Sequence, residues 1–471
     1  MLRHSVRSTI GLAASVTLLA ALPATAEEPA AGKKSVTEQV LEILREQGTI
    51  DDAKYDDLKK QLEEEQRATQ PVEEPKAEIA KAEPEKPETQ DPEGWKVYFK
   101  DTLRIERNDG WAKLHVGGMT QFDVVGIIDD QDLQDAGLDN QGSGVEFRRA
   151  RLSMDGEVGE NLIFKAEYDF ADGDTDFADV WMGLQRLPYA GRALVGHFKE
   201  PMSLEEITSD RFITFMERAL PVLAFSPARN SGVGVFNTAF EQRMTWGVGG
   251  FRDVNNFGDG FSESSPYNVT ARITGLPVWQ DEGRTLVHAG YSYSHRFRDS
   301  DTVDFDPRPE VNLSDPLIDT GDIDSEGVDV FGIELATVVG PVSLQGEFLD
   351  ALVNQQDGGD ENFWGAYGYA SWFVTGESRA YDPRIGAFTR TSPKNPFSIS
   401  KGQWGAWELA ARYSYVTLTD DDIEGGRESD VTAAINWYLY GNFRIMANYV
   451  WAHRESIGNQ NAVMARFGID F

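Results

Sequence analysis

Arginine and lysine recur where they could read an anion. Arg149, Arg151, Lys165, Arg272, Arg412, Arg444 and Arg466 each stand in a run in which polar and apolar residues alternate. A guanidinium is always ionised, and its planar fork makes paired, charge-assisted hydrogen bonds to oxyanions. Ranked along the wet face of a sheet, such groups would form an anion-conducting ladder. Alternatively they pair with Glu167, Asp169, Glu408 and Asp470 on neighbouring strands, and lumen charges can do both. Arg148 has the parity of Leu152 and Met154, an apolar set, and is expected near a membrane interface and not in the pore.

A second basic set, Arg211, Arg218 and Arg229, lies in the segment from Lys199 to Ser231 among Glu205, Glu206, Asp210 and Glu217. Phe212, Ile213, Phe215, Met216, Leu220, Val222, Leu223 and Phe225 make this segment too apolar for a loop lying in water. Folded into a barrel, it would hold charge at a constriction; packed outward, it would contact a neighbouring subunit. Reactive chemistry has no comparable support. The six histidines lack HExxH spacing, there is no GxSxG or P-loop, and the chain has no cysteine, so no enzyme and no thiolate metal site are expected.

These residues need strands to position them. From Trp95 to Phe471 the dominant period is two: Val463, Ala465, Phe467, Ile469 and Phe471 oppose Met464, Arg466, Gly468 and Asp470. Trp407, Leu409, Ala411, Tyr413 and Tyr415 oppose Glu408, Ala410, Arg412 and Ser414 in the same way. Charge in mid-strand behind large aromatics fits an antiparallel transmembrane β-barrel with lipid outside and a water-filled lumen. No stretch after the first residues is apolar enough for a membrane-spanning helix. About 16 alternating segments follow Trp111. Gly156–Glu160, Leu187–Gly191, Glu241–Arg243 and Tyr440–Asn442 are expected as short periplasmic turns. Asp129–Gly144, Lys199–Ser231, His295–Glu326 and Thr417–Asp430 are expected as long outer loops, and Gly376–Gln403 is long where parity calls for a turn.

Residues 1–26 read as a cleavable export signal: Arg3 and Arg7, an apolar stretch from Ile10 to Leu22, then Ala24-Thr25-Ala26. Residues 27–67 suggest a short helical periplasmic segment, with Val36, Val40, Leu41, Ile43 and Leu44 on one stripe. Residues 68–94 form a Pro/Glu-rich linker, and the barrel domain spans 95–471.

At Phe198–Pro221 the sequence FKEPMSLEEITSDRFITFMERALP resembles the hallmark segment of the phosphate-selective porin O/P family. FRRARL at Phe147–Leu152, AEYDF at Ala166–Phe170, GAWELAARYSY at Gly405–Tyr415 and the terminal Phe471 resemble the same family. The resemblance implies a 16-stranded barrel in the outer membrane of a Gram-negative bacterium, usually a homotrimer, whose third external loop narrows the pore. It also implies phosphate selectivity through lumen arginines. One feature departs from that pattern: residues 94–471 hold only seven lysines and a net charge of about −26.

The expected function is passive diffusion of small anions, with phosphate or polyphosphate as candidates, through a pore lined by the arginines and lysine named above. A general or cation-preferring porin with an acidic vestibule, and a structural tether to the cell wall, are the rivals. Expected partners are small anions or polar solutes and outer-membrane lipid, with no nucleic acid. No cofactor is expected, although carboxylates such as the eleven between Asp299 and Asp329 could bridge divalent cations to lipid headgroups.

Overall fold

The computed structural model describes residues 94–138, 140–252, 254, 266–356 and 358–471, together with Lys54, Tyr55 and Lys60, which are helical. The expected signal peptide, the rest of the helical segment and the linker up to residue 93 lie outside the described residues.

Alternation becomes a closed sheet. A hairpin of β1 (Trp95–Lys100) and β2 (Thr102–Arg107) comes first. Then follow β3 (Ala112–Asp129), β4 (Gly142–Val158), β5 (Leu162–Asp169), β6 (Asp176–Leu187), β7 (Gly191–Lys199) and β8 (Arg229–Ala239). The wall continues through β9 (Met244–Arg252), β10 (Tyr267–Gln280), β11 (Thr285–Val303), β12 (Ile323–Val339), β13 (Val342–Gln355) and β14 (Glu361–Phe373). After a minute hairpin of β15 (Tyr381–Asp382) and β16 (Ala387–Phe388) come β17 (Ala406–Asp420), β18 (Ile423–Tyr440), β19 (Phe443–Arg454) and β20 (Gly458–Asp470). β14 pairs directly with β17, and β20 pairs with β3 from Gln460↔Asp129 to Asp470↔Met119. Sixteen antiparallel strands therefore close on themselves, leaving no edge within the wall.

The two faces are inverted relative to a protein in water. On β20, Val463 and Phe467 are exposed on the outside while Arg466 is buried inside at 1% exposure. On β17, Leu409 and Tyr413 face outward and Glu408, Arg412 and Ser414 face inward. Apolar groups outside and charge inside are stable only with lipid around the wall.

Two expectations change, and one misfit is accounted for. The segment Thr417–Asp430 is not a long loop: β17 and β18 run on to a two-residue turn at Asp421 and Asp422. Its Glu428 and Asp430 are lumen-facing strand residues, so their acidity marks an interior and not a surface. Arg148 is not on the lipid side. Gln121 pairs with Arg149 but the adjacent Phe122 pairs with Phe147, so Arg148 is the extra residue of a β-bulge. The bulge sets Arg148 and Arg149 on the same inner face. The long connection after β14 is real, and it resolves the parity problem by folding into the barrel from the turn end.

Three connections fill much of the lumen: the third loop (200–228), the fifth loop (304–322) and the sixth turn (374–405). Met202, Phe215, Leu220 and Phe225 of the third loop and Phe305 and Ile318 of the fifth pack on Val330, Leu349, Phe363 and Val416 of the wall. Each fully buried Phe stabilises this arrangement by roughly 1.5–3 kcal/mol. Tyr381 and Phe388 of the sixth turn pack with Leu204, Leu276, Leu286 and Val338 nearer the turn end.

Candidate functional site

An apolar patch alone would leave the third loop's polar groups unsatisfied, and ionic contacts complete its attachment. The N–H groups of Leu204 and Glu205 donate to the Glu347 carboxylate at 3.0 and 2.9 Å. Arg412 reaches inward from β17 to Glu310 of the fifth loop at 2.6 Å and Glu205 of the third at 3.2 Å, with its guanidinium over the Phe215 ring. Arg466 holds Asp123 at 2.6 Å and Glu217 at 2.7 Å. Arg148 closes a two-pronged contact on Glu217, both bonds 3.0 Å long. Asp210 forms ion pairs with three guanidiniums: Arg149 at 3.1 Å, Arg151 at 2.8 Å and Arg218 at 2.7 Å.

Although β4 also holds the loop through these arginines, open space remains beside it along β4 to β10. It comprises two cavities. The outer one, about 450 Å³, is bordered by Arg148, Arg151, Arg229, Arg296 and His197 together with Asp169 and Asp176. The inner one, about 320 Å³, is bordered by Lys165, Arg192, Lys199, Arg272 and Arg384, with Asp179 as its carboxylate. At the divide the Asp179 carboxylate takes Lys165 at 2.7 Å from the inner side and Arg229 at 3.0 Å from the outer side. Lys165 also holds Glu167 at 2.6 Å, and Glu167 in turn accepts Arg211 at 3.1 Å. Cations outnumber carboxylates along both cavities even though the whole chain carries −34.

The ten residues singled out by sequence thus divide by role. Arg151, Lys165, Arg229 and Arg272 border the two open cavities. Arg149, Arg218, Arg412 and Arg466 are buried ion-pair anchors for the third and fifth loops. Arg211 and Arg444 line a smaller space on the other side of the third loop. Sequence reasoning missed Asp179, Arg192, Lys199, Arg296 and Arg384. Asp179 was accessible, since it has the parity opposite to the exposed Met182 and Leu184 on β6. Arg384 was not, because it rides on an inward-folded turn. Among the described residues no group of three or more carboxylates or histidines is arranged to hold a metal ion.

The family model described as phosphate-selective porin O and P matches residues 121–470. The chain belongs to that family. A relative in Caulobacter vibrioides, described as an uncharacterized protein, is 31% identical over 70% of this chain and 67% of its own length. Porin O of Pseudomonas aeruginosa is 24% identical, the alignment covering 68% of this chain and 80% of that protein. Among solved structures, outer-membrane expressed OmpT of Vibrio cholerae superposes with a TM-score of 0.50 at 13% identity, over 79% of this chain and all of the other, a likeness of fold. This porin is therefore an outer-membrane diffusion channel and not an enzyme. The segment Phe198–Pro221, on which the resemblance rests, is the part of the chain that leaves β7 and enters the lumen as the third loop.

Proposed function

We propose that this porin passes small anions by passive diffusion, phosphate or polyphosphate being the candidates, along the wall from β4 to β10. The observation that carries the reading is the divide at Asp179, where Lys165 and Arg229 meet one carboxylate between two cavities richer in cations than in carboxylates. In a narrow space of reduced dielectric, charges at that point act more strongly on a passing ion than charges in open vestibules. Arg148, Arg151 and Arg296 would draw anions inward at the outer end, and Arg192, Lys199 and Arg384 would receive them. A homotrimeric assembly is part of this proposal through family membership.

The rival is a cation-preferring pore governed by the acidic outer loops, and Asp304, Asp306, Asp319 and Asp322 in and beside the fifth loop supply its motive. Reversal potentials in planar bilayers under a salt gradient separate the two. Arg229→Gln should move the potential toward cation preference at low salt, with the effect weakening toward 1 M, where the Debye length is about 3 Å. A parental potential in that variant, together with a shift on removing the fifth-loop aspartates, would replace the anion reading with the cationic one.

A further inference from the structure

Across the third loop from the permeation path lies a third cavity of about 40 Å³. One water-sized sphere needs roughly 10–15 Å³, so this space has room for an ion of a few atoms. Four guanidiniums border it, from Arg211, Arg379, Arg390 and Arg444, against the carboxylates of Glu408 and Asp470. Arg211 is held by Glu167 and Arg390 by Asp470. Arg379 and Arg444 have no such partner: among the described residues neither meets a carboxylate oxygen within 4.0 Å.

Both are deeply buried, at 6% and 9% exposure. Arg379 comes from the sixth turn, donates to Gln345 at 2.7 Å, lies over the Phe388 ring, and leaves its Nε–H without an acceptor. Arg444 comes from β19 and donates to the Ile213 carbonyl at 2.7 Å and the Tyr438 hydroxyl at 3.4 Å. Glu408 makes no ion pair with either: one of its oxygens accepts from Asn436 and Tyr438 and the other faces no donor. A buried cation without an ion-pair partner is strongly disfavoured, and two of them among the four guanidiniums of one cavity favour an anion inside it.

We propose that this cavity binds one small inorganic anion between Arg379 and Arg444. The ion joins the sixth turn to the wall and to the tip of the third loop, and it is a resident ion, not one in transit. None of the residues bordering this cavity borders either open cavity. The proposal therefore goes beyond the anion-pore reading and does not depend on it.

Bromide is a suitable probe because it scatters anomalously. Crystals of the full porin soaked in sodium bromide should show an anomalous peak in contact with both guanidiniums. Arg379→Gln should abolish that peak, while Arg229→Gln, which alters the permeation path, should keep it. A wild-type crystal without a peak there overturns the site, and this result stands even if Arg379→Gln fails to fold. A peak that persists undiminished in Arg379→Gln overturns it as well. Reversal potentials of Arg229→Gln are read separately, so failure of the anion-pore reading and failure of this site are told apart.

Discussion

Inside the barrel, two arginines that both reach carboxylates of the lumen can have opposite jobs, and their partners decide which. Arg229 shares Asp179 with Lys165 beside open space, whereas Arg466 is enclosed by Asp123 and Glu217. Asp179→Asn removes the one carboxylate that Lys165 and Arg229 share. The anion-to-cation permeability ratio should then rise about two- to tenfold, on the order of 1 kcal/mol for one charge in a partly screened constriction. A ratio that fell or stayed level in bilayer recordings would remove Asp179 from the path. Arg466→Met instead leaves Asp123 buried without its cation, which should lower stability by about 3–5 kcal/mol. Denaturant unfolding of the detergent-solubilised porin measures that loss, and reversal potentials should not follow it. Sequence alone could identify Arg229 and Arg466 as candidates by type, yet not separate them. Arg466 and its partner Asp123 are 343 positions apart, and only strand closure brings them together.

At the scale of elements, legibility followed how local the determining physics was. The sixteen strands were readable because each carries its own two-residue period. The hairpin of β17 and β18 was misread above the membrane because Asp and Gly around Asp420–Gly426 have the composition of a loop, although register pairing continues to Asp420↔Ile423. The first outer loop shows a locally encoded device: Asp130 caps the helix Gln131–Asp135 by accepting from the Leu133 N–H at 3.0 Å. The same carboxylate accepts from the backbone and side chain of Asn459 in the last strand, at 2.7 and 2.9 Å. Slight burial pushes its pKa upward, but these hydrogen bonds outweigh that and hold the carboxyl below the usual carboxylate range. Since the folded value is the lower one, its contribution is complete above the ordinary carboxylate pKa and disappears as pH falls through the folded value. Asp130→Ala should cost about 1 kcal/mol. Faster amide exchange at residues 131–138 and at Asn459 near neutral pH, converging with the parent in acid, is the expected signature.

For the whole molecule, the sum of charges differs in sign from the lining of the two open cavities, because charge sums ignore which side of a closed wall a residue occupies. Closure itself depends on none of the residues before Ala112. β20 pairs with the upper part of β3, while β2 meets only its lower end through Leu103↔Val116 to Glu106↔Lys113. Among the described residues, the third loop, fifth loop and sixth turn that fill the lumen all come from beyond residue 199. Removing residues 27–93 while keeping the export signal should therefore leave a folded β-barrel with unchanged single-channel conductance. It should also retain resistance to unfolding in detergent, since every wall strand keeps both neighbours. Circular dichroism, the heat-dependent gel mobility of the folded form and bilayer recordings of the truncated porin test this together. A truncated chain that reached the membrane but conducted differently would show that the early residues act on the pore. One that conducted normally but lost attachment to the cell wall would assign them the tether role that the sequence left open.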